Sequence, residues 1–121
     1  MKNPKVVIEQ FSVLDNVCSY GNKIWNASTL FEATKGLEPY DLQLSALNLD
    51  VPFPSAETIA LYCFQMKRTL EADLSYPIIQ APDGWIMDGY HRIAKAIIEG
   101  RTTIKAVRLA VLPNPDRLEN K

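Results

Sequence analysis

Hydrophobic and polar positions are most regularly patterned between Pro77 and Gly100, and the rest of the chain is organised around that stretch. Pro77-Ile78-Ile79-Gln80 reads as a short strand, Pro82-Asp83-Gly84 as a tight turn and Trp85-Ile86-Met87 as the returning strand. Beyond it the period lengthens. Ile93, Ala94, Ala96, Ile97 and Ile98 recur at helical spacing, and Gly100 is placed to end that helix in a left-handed conformation.

The flanking segments carry weaker patterns. Val7, Phe11, Leu14 and Cys18 stand at helical spacing behind Asn3-Pro4, which predicts an N-terminal helix closed by Gly21, part of a helical extension over residues 1–24. The β-branched Val6, Val7, Ile8, Val13 and Val17 keep a strand as the competing reading. Asn26-Ala27-Ser28 caps a short helix that ends at Gly36. Tyr40, Leu42, Leu44 and Ala46 alternate with polar residues as a half-buried strand, and Asp50 to Pro54 is a breaker-rich loop. Ser55 then caps a helix with Glu57 in its first turn and an apolar stripe of Ile59, Tyr62, Cys63, Met66 and Leu70, running to about Ala72. Ile104 to Leu112 is a last strand stopped by Pro113-Asn114-Pro115, and residues 113–121 form a loose polar tail. The order ααβαββαβ implies one compact α+β domain over residues 1–121, a small mixed sheet packed by helices.

Composition narrows the function classes. With 121 residues the chain has material for a single core, and 47% hydrophobic with 22% charged residues is ordinary for a globular protein. A formal net charge of −1 gives no global basic field for DNA, although Arg92, Lys95, Arg101, Lys105 and Arg108 allow a local basic patch. Cys18 and Cys63 make no metal-binding spacing and, with one histidine, no zinc set; both read as buried thiols. MKNPK followed by Glu9 and Asp15 does not resemble a signal peptide, and no apolar run approaches a membrane span, so the expectation is a cytoplasmic protein that does not enter a membrane.

The chemistry concentrates in Asp88-Gly89-Tyr90-His91-Arg92, where the hairpin hands over to the helix. Unpaired amides and a positive helix dipole make such a start a cradle for phosphate. Gly89 would let a ligand approach the backbone, Arg92 offers a planar fork for two oxygens, and Lys95 lies one turn after His91. The phosphate-binding set is therefore Gly89, Tyr90, His91, Arg92 and Lys95, with His91 and Asp88 as candidate catalytic acid/base groups. Each has a plainer use: Asp88 as a turn anchor, His91 as a surface cap. Asp50 and Glu57 read chiefly as loop and helix-dipole groups, Trp25 and Trp85 as packing or base-stacking rings, and Lys67-Arg68 as a solvated helix end.

The run IMDGYHRIAKA followed by EGRTTIKAV resembles the core signature of the ParB/sulfiredoxin superfamily, over roughly Pro39 to Ala110. That resemblance implies a nucleotide site (ATP, ADP or CTP) and either phosphoryl transfer or nucleotide hydrolysis, for which Mg²⁺ would be held by substrate phosphates, with Asp88 as a candidate protein ligand. It also implies alternatives: a DNA-associated ParB-like nuclease or partition accessory protein, or a non-catalytic protein-interaction domain. Tyr90 stands where related motifs carry Arg, His or Cys, so the resemblance does not extend to sulfinic-acid reduction, which needs a cysteine there. The Glu-Arg-Arg form common in CTP-binding relatives is also absent.

Overall fold

The computed structural model describes residues 3–12, 16–53 and 56–119. Among the described residues seven short strands and three α-helices follow one another: β1 (Val17–Tyr20), β2 (Lys23–Asn26), α1 (Ala27–Ala33), β3 (Tyr40–Gln43), α2 (Ile59–Glu71), β4 (Ile78–Gln80), β5 (Ile86–Asp88), α3 (Tyr90–Ile98), β6 (Thr103–Arg108) and β7 (Arg117–Leu118). The fold is α+β. A four-stranded mixed sheet runs β3-β6-β4-β5, and a three-stranded antiparallel sheet runs β1-β2-β7.

The centre of the mixed sheet is β4, which lies parallel to β6 and antiparallel to β5. Ile78, Ile79 and Gln80 are all buried, as expected of a strand covered on both faces. Ile78 packs with Leu44, Ile93, Ala96, Ile104 and Ala106 beneath α3. Ile79 faces the other way, into Trp25, Leu30, Ala81, Met87, Val107 and Leu109, beneath α1 and the β1–β2 hairpin. The end of α3 is as the pattern predicts. Gly100 has φ 77°, its N–H donates to Ile97 O at 3.0 Å, and the Arg101 N–H donates to Ala96 O at 3.0 Å, the pair of bonds of a Schellman cap.

Several expectations are corrected. Residues 3–12 form no helix, and Val6 and Val7 are 88% and 89% exposed; the β-branched run disfavours the helix that the spacing suggested. Leu14 lies outside the described residues. Cys18 belongs to β1, and Gly21, with φ 60°, opens the two-residue Gly21-Asn22 turn of a hairpin instead of closing a helix. Strand β3 stops at Gln43, because Leu44 turns inward and Leu44–Ala46 form one turn of 3₁₀ helix. Helix α2 begins at Ile59 with the Thr58 hydroxyl capping the Leu61 N–H at 3.1 Å, so Glu57 precedes the helix; Ser55 lies outside the described residues. Its anticipated core stripe is largely in solvent: Ile59, Tyr62 and Leu70 are 85%, 56% and 68% exposed. Ile97 and Ile98 of α3 also face outward.

Strand β6 is shorter than anticipated, and the tail is not loose up to Glu119. Strand β7 pairs with β2, and Asp116 caps α1 from ninety residues away, accepting from the Asn26 N–H at 2.7 Å and the Thr29 hydroxyl at 2.8 Å. Those bonds, the backbone bond first, hold its carboxyl below the usual carboxylate range. Among the described residues no helix is long and apolar enough to cross a membrane.

Candidate functional site

The β4–β5 hairpin delivers the chain to α3 through Gly89, whose φ of 118° and ψ of 19° only glycine adopts readily. The freedom serves packing. A Cβ at Gly89 would lie 2.4 Å from Ile78 Cγ2 and 2.8 Å from Ile78 Cβ, so the bare backbone is pressed against the central strand, not left open for a ligand. Gly89 has no side chain with which to cap α3, and among the described residues the first bond into the helix is from the Ile93 N–H to Gly89 O at 3.0 Å. The amides of Tyr90, His91 and Arg92 thus precede the first intrahelical bond, as the cradle argument requires.

The side chains of the motif are largely committed within the protein. Asp88 is buried; Oδ1 accepts from Asn16 Nδ2 at 2.9 Å and Oδ2 pairs with Arg92 Nη2. Arg92 Nη1 donates to Tyr76 O at 3.0 Å and Pro77 O at 2.7 Å, which places its fork on the segment entering β4. Lys95 Nζ donates to Leu70 O at 3.0 Å and Ala72 O at 2.7 Å, closing the C-terminal end of α2. Tyr90 is half-buried against the α3 core, and burial first, then the Cys18 thiol, raises its phenol. The expected basic patch does not form as a cluster of unengaged cations. Arg101 pairs with Glu99, Lys105 with Asp41, and Arg108 donates to Pro82 O, in addition to the bonds of Arg92 and Lys95.

His91 sits between α2 and the 47–53 loop. Its Nε2 lies 2.7 Å from Gln65 Oε1, and the Phe53 ring approaches edge-on with centroids 5.0 Å apart. An amide oxygen can only accept, so Nε2 carries the hydrogen and Nδ1 is the acceptor face of a neutral ring. Burial, then the charges of Arg68 and Arg92, lower its pKa from 6.5 to about 4. Because the chain has one histidine, its imidazole gives a single titrating NMR signal. The expected midpoint is about 4, with the ring neutral at pH 7. The folded value lies below the unfolded one, so the unfolded chain takes up the proton first, and stability falls as pH drops from 6.5 towards about 4. A midpoint near the unperturbed 6.5 would contradict this packing.

Sequence reasoning missed Arg68. Far from a solvated helix end, its guanidinium lies 3.5 Å from the centroid of the Phe11 ring. Burial lowers its pKa, opposed by the Asp88 carboxylate. Among the described residues no carboxylate lies within ion-pair distance of it. The available signal was weak: Arg68 follows Phe64 by four residues and Gln65 by three, on the side of α2 that meets His91.

Other candidates resolve as packing. Trp25 is buried with its Nε1–H on Pro113 O at 2.9 Å, and Trp85 stacks on Tyr20 with centroids 4.9 Å apart. Asp50 and Glu57 are exposed. Both cysteines are free; burial first, then Asp88, pushes the Cys18 thiol up to about 11, so it is no nucleophile at neutral pH. The residues do not fit a protein-held Mg²⁺. Both Asp88 oxygens are engaged, and among the described residues no three His, Cys, Asp or Glu side chains are grouped to hold a metal. No family model, curated protein or solved structure matches this chain.

Proposed function

We propose that this domain binds a small phosphate-bearing ligand, a nucleotide, at the start of α3. The carrying observation is the conjunction of the glycine-capped start of α3 with Arg68, a partly buried guanidinium without a carboxylate at ion-pair distance among the described residues. Arg68 and the amides of Tyr90, His91 and Arg92 supply donors for phosphate oxygens, and Phe53 supplies an aromatic face beside them. This keeps the ParB/sulfiredoxin-like reading of the DGYHR turn while moving the cationic role from Arg92 and Lys95 to Arg68.

The reading is of binding more than of phosphoryl transfer or hydrolysis. An imidazole with pKa about 4 is a weak base, and Asp88 is tied to Arg92 and Asn16. Calorimetric titration with ADP and with inorganic phosphate tests it. Arg68→Ala is expected to weaken binding about 10- to 100-fold, the worth of a charge-assisted hydrogen bond, while Lys105→Ala leaves it unchanged. No heat from the unmodified chain, or equal affinity in Arg68→Ala, contradicts it.

One observation favours a second reading, a protein-interaction domain: Ile59, Tyr62 and Leu70 form an exposed apolar face on α2. Silence in the anion titrations, with self-association abolished by Ile59→Glu and Leu70→Glu, would favour it. DNA retention without any nucleotide effect would favour the nuclease or partition alternative, which the formal charge of −1 does not support.

A further inference from the structure

Two ring nitrogens of His91 face different fates at the start of α3. Nε2 donates to Gln65 Oε1 at 2.7 Å, which leaves Nδ1 of the neutral ring as an acceptor. Among the described residues nothing donates to Nδ1, and none of them has a buried side-chain nitrogen or oxygen without a partner, so this acceptor is open to solvent. The bond to Gln65 and the edge-on Phe53 ring, with centroids 5.0 Å apart, hold the imidazole in one orientation. Covalent geometry fixes where Nδ1 can act. Only Cα, Cβ and Cγ separate it from the His91 amide nitrogen, one of the three amides that precede the first intrahelical bond. An oxygen held on that amide therefore lies within reach of Nδ1.

From this arrangement we infer that His91 selects the ligand by its hydrogen: the site takes an oxyanion that carries a hydroxyl, of the hydrogenphosphate class, whose O–H donates to Nδ1, and it rejects sulfate. The inference rests on the proposed anion site and names the chemical class that the site accepts. Arg68 and the amides are donors and attract any tetrahedral anion, so they cannot sort one from another. Nδ1 can. Hydrogenphosphate and sulfate are dianions of the same shape, and they differ by one hydrogen. The first completes a hydrogen bond to Nδ1, whereas the second sets an oxygen against its lone pair with neither group able to donate. Burial and the charges of Arg68 and Arg92 favour the neutral ring that this requires.

Calorimetric titration of the full chain with inorganic phosphate and with sulfate tests the selection, at matched ionic strength and mildly alkaline pH, where even an unperturbed imidazole is neutral. Phosphate is expected to bind about 10- to 100-fold more tightly, the worth of a hydrogen bond to a charged group. His91→Phe keeps a ring beside Phe53 without an acceptor, and is expected to reduce that preference to near unity. The single histidine adds a readout that needs no variant: its Nδ1 resonance is expected to move further at saturating phosphate than at saturating sulfate. Equal binding of the two anions, or tighter binding of sulfate, overturns the selection, and the anion site stands if Arg68→Ala abolishes that binding. A preference undiminished in His91→Phe overturns the role of His91. Binding of neither anion overturns the site, and the selection with it.

Discussion

Gly89→Ala is expected to destabilise the protein by about 3 kcal/mol or more, by adding left-handed backbone strain to overpacking against a buried strand. The two terms have separate sources. A φ of 118° strains any L-residue, and the new methyl would stand 2.4 Å from Ile78 Cγ2 and 2.8 Å from Ile78 Cβ. Ile78 has nowhere to move, being fully buried between Ile93, Ala96 and Ala106. Gly36→Ala is the control. Its φ of 81° carries backbone strain, yet nothing lies within 4 Å of the added Cβ, so it is expected to cost about 1–2 kcal/mol. In the Ile78→Ala background the closest clash disappears and the 2.8 Å one remains, so only part of the Gly89→Ala penalty should be recovered. Urea denaturation measures all four. Equal losses at Gly89 and Gly36 would show that the contact with Ile78 is not what selects glycine.

Arg92→Ala is expected to cost about 3–5 kcal/mol, the usual consequence of orphaning one member of a buried pair. Side-chain exposure is 15% for Arg92 and 8% for Asp88, so water does little to replace what is lost. The change leaves Asp88 with Asn16 alone and strips Tyr76 O and Pro77 O of their donor. Lysine keeps the charge without the fork and reaches fewer of the three acceptors, which predicts a smaller loss for Arg92→Lys. In a double-mutant cycle with Asp88→Asn the losses should be strongly non-additive, because both changes break one contact. The cost is that of breaking the pair; a well-packed apolar replacement of both partners could be as stable. Additive losses would mean that Arg92 acts through the carbonyls alone.

These two residues show what the sequence made legible and what it did not. Order and type from α1 to β6 follow from local signals: the Asn26 cap, the Pro82-Asp83-Gly84 turn, the stripe through Ile93 and Ala96, and Gly100. The DGYHR turn was located by its place between strand and helix. Which atoms its side chains reach was not legible, because those partners are remote in the chain. Arg92 meets carbonyls of Tyr76 and Pro77, Lys95 meets those of Leu70 and Ala72, and His91 meets Gln65. Spacing along α3 cannot distinguish a phosphate from a carbonyl as the acceptor. The N-terminal misreading has a different cause. Four apolar residues at helical spacing suggest a helix, but the β-branched run and the Gly21-Asn22 pair, a hairpin signal that the helical reading leaves out, go with the strands that form. Strand β7 is hidden by its two-residue length, and its partner β2 and the Asn26 and Thr29 groups that Asp116 meets are all remote in the chain.

Amide chemical shifts recorded during titration with ADP test the anion site most directly, since they report on the backbone groups themselves. Saturable movement of the Tyr90, His91 and Arg92 amides, together with the Arg68 Nε–H, is the predicted result, with Lys95 unmoved on its α2 carbonyls. Amides at the start of α3 that hold still while ADP saturates, or that move no more than those of β3, would contradict a phosphate site there and leave the turn as a clamp between β4, α2 and α3.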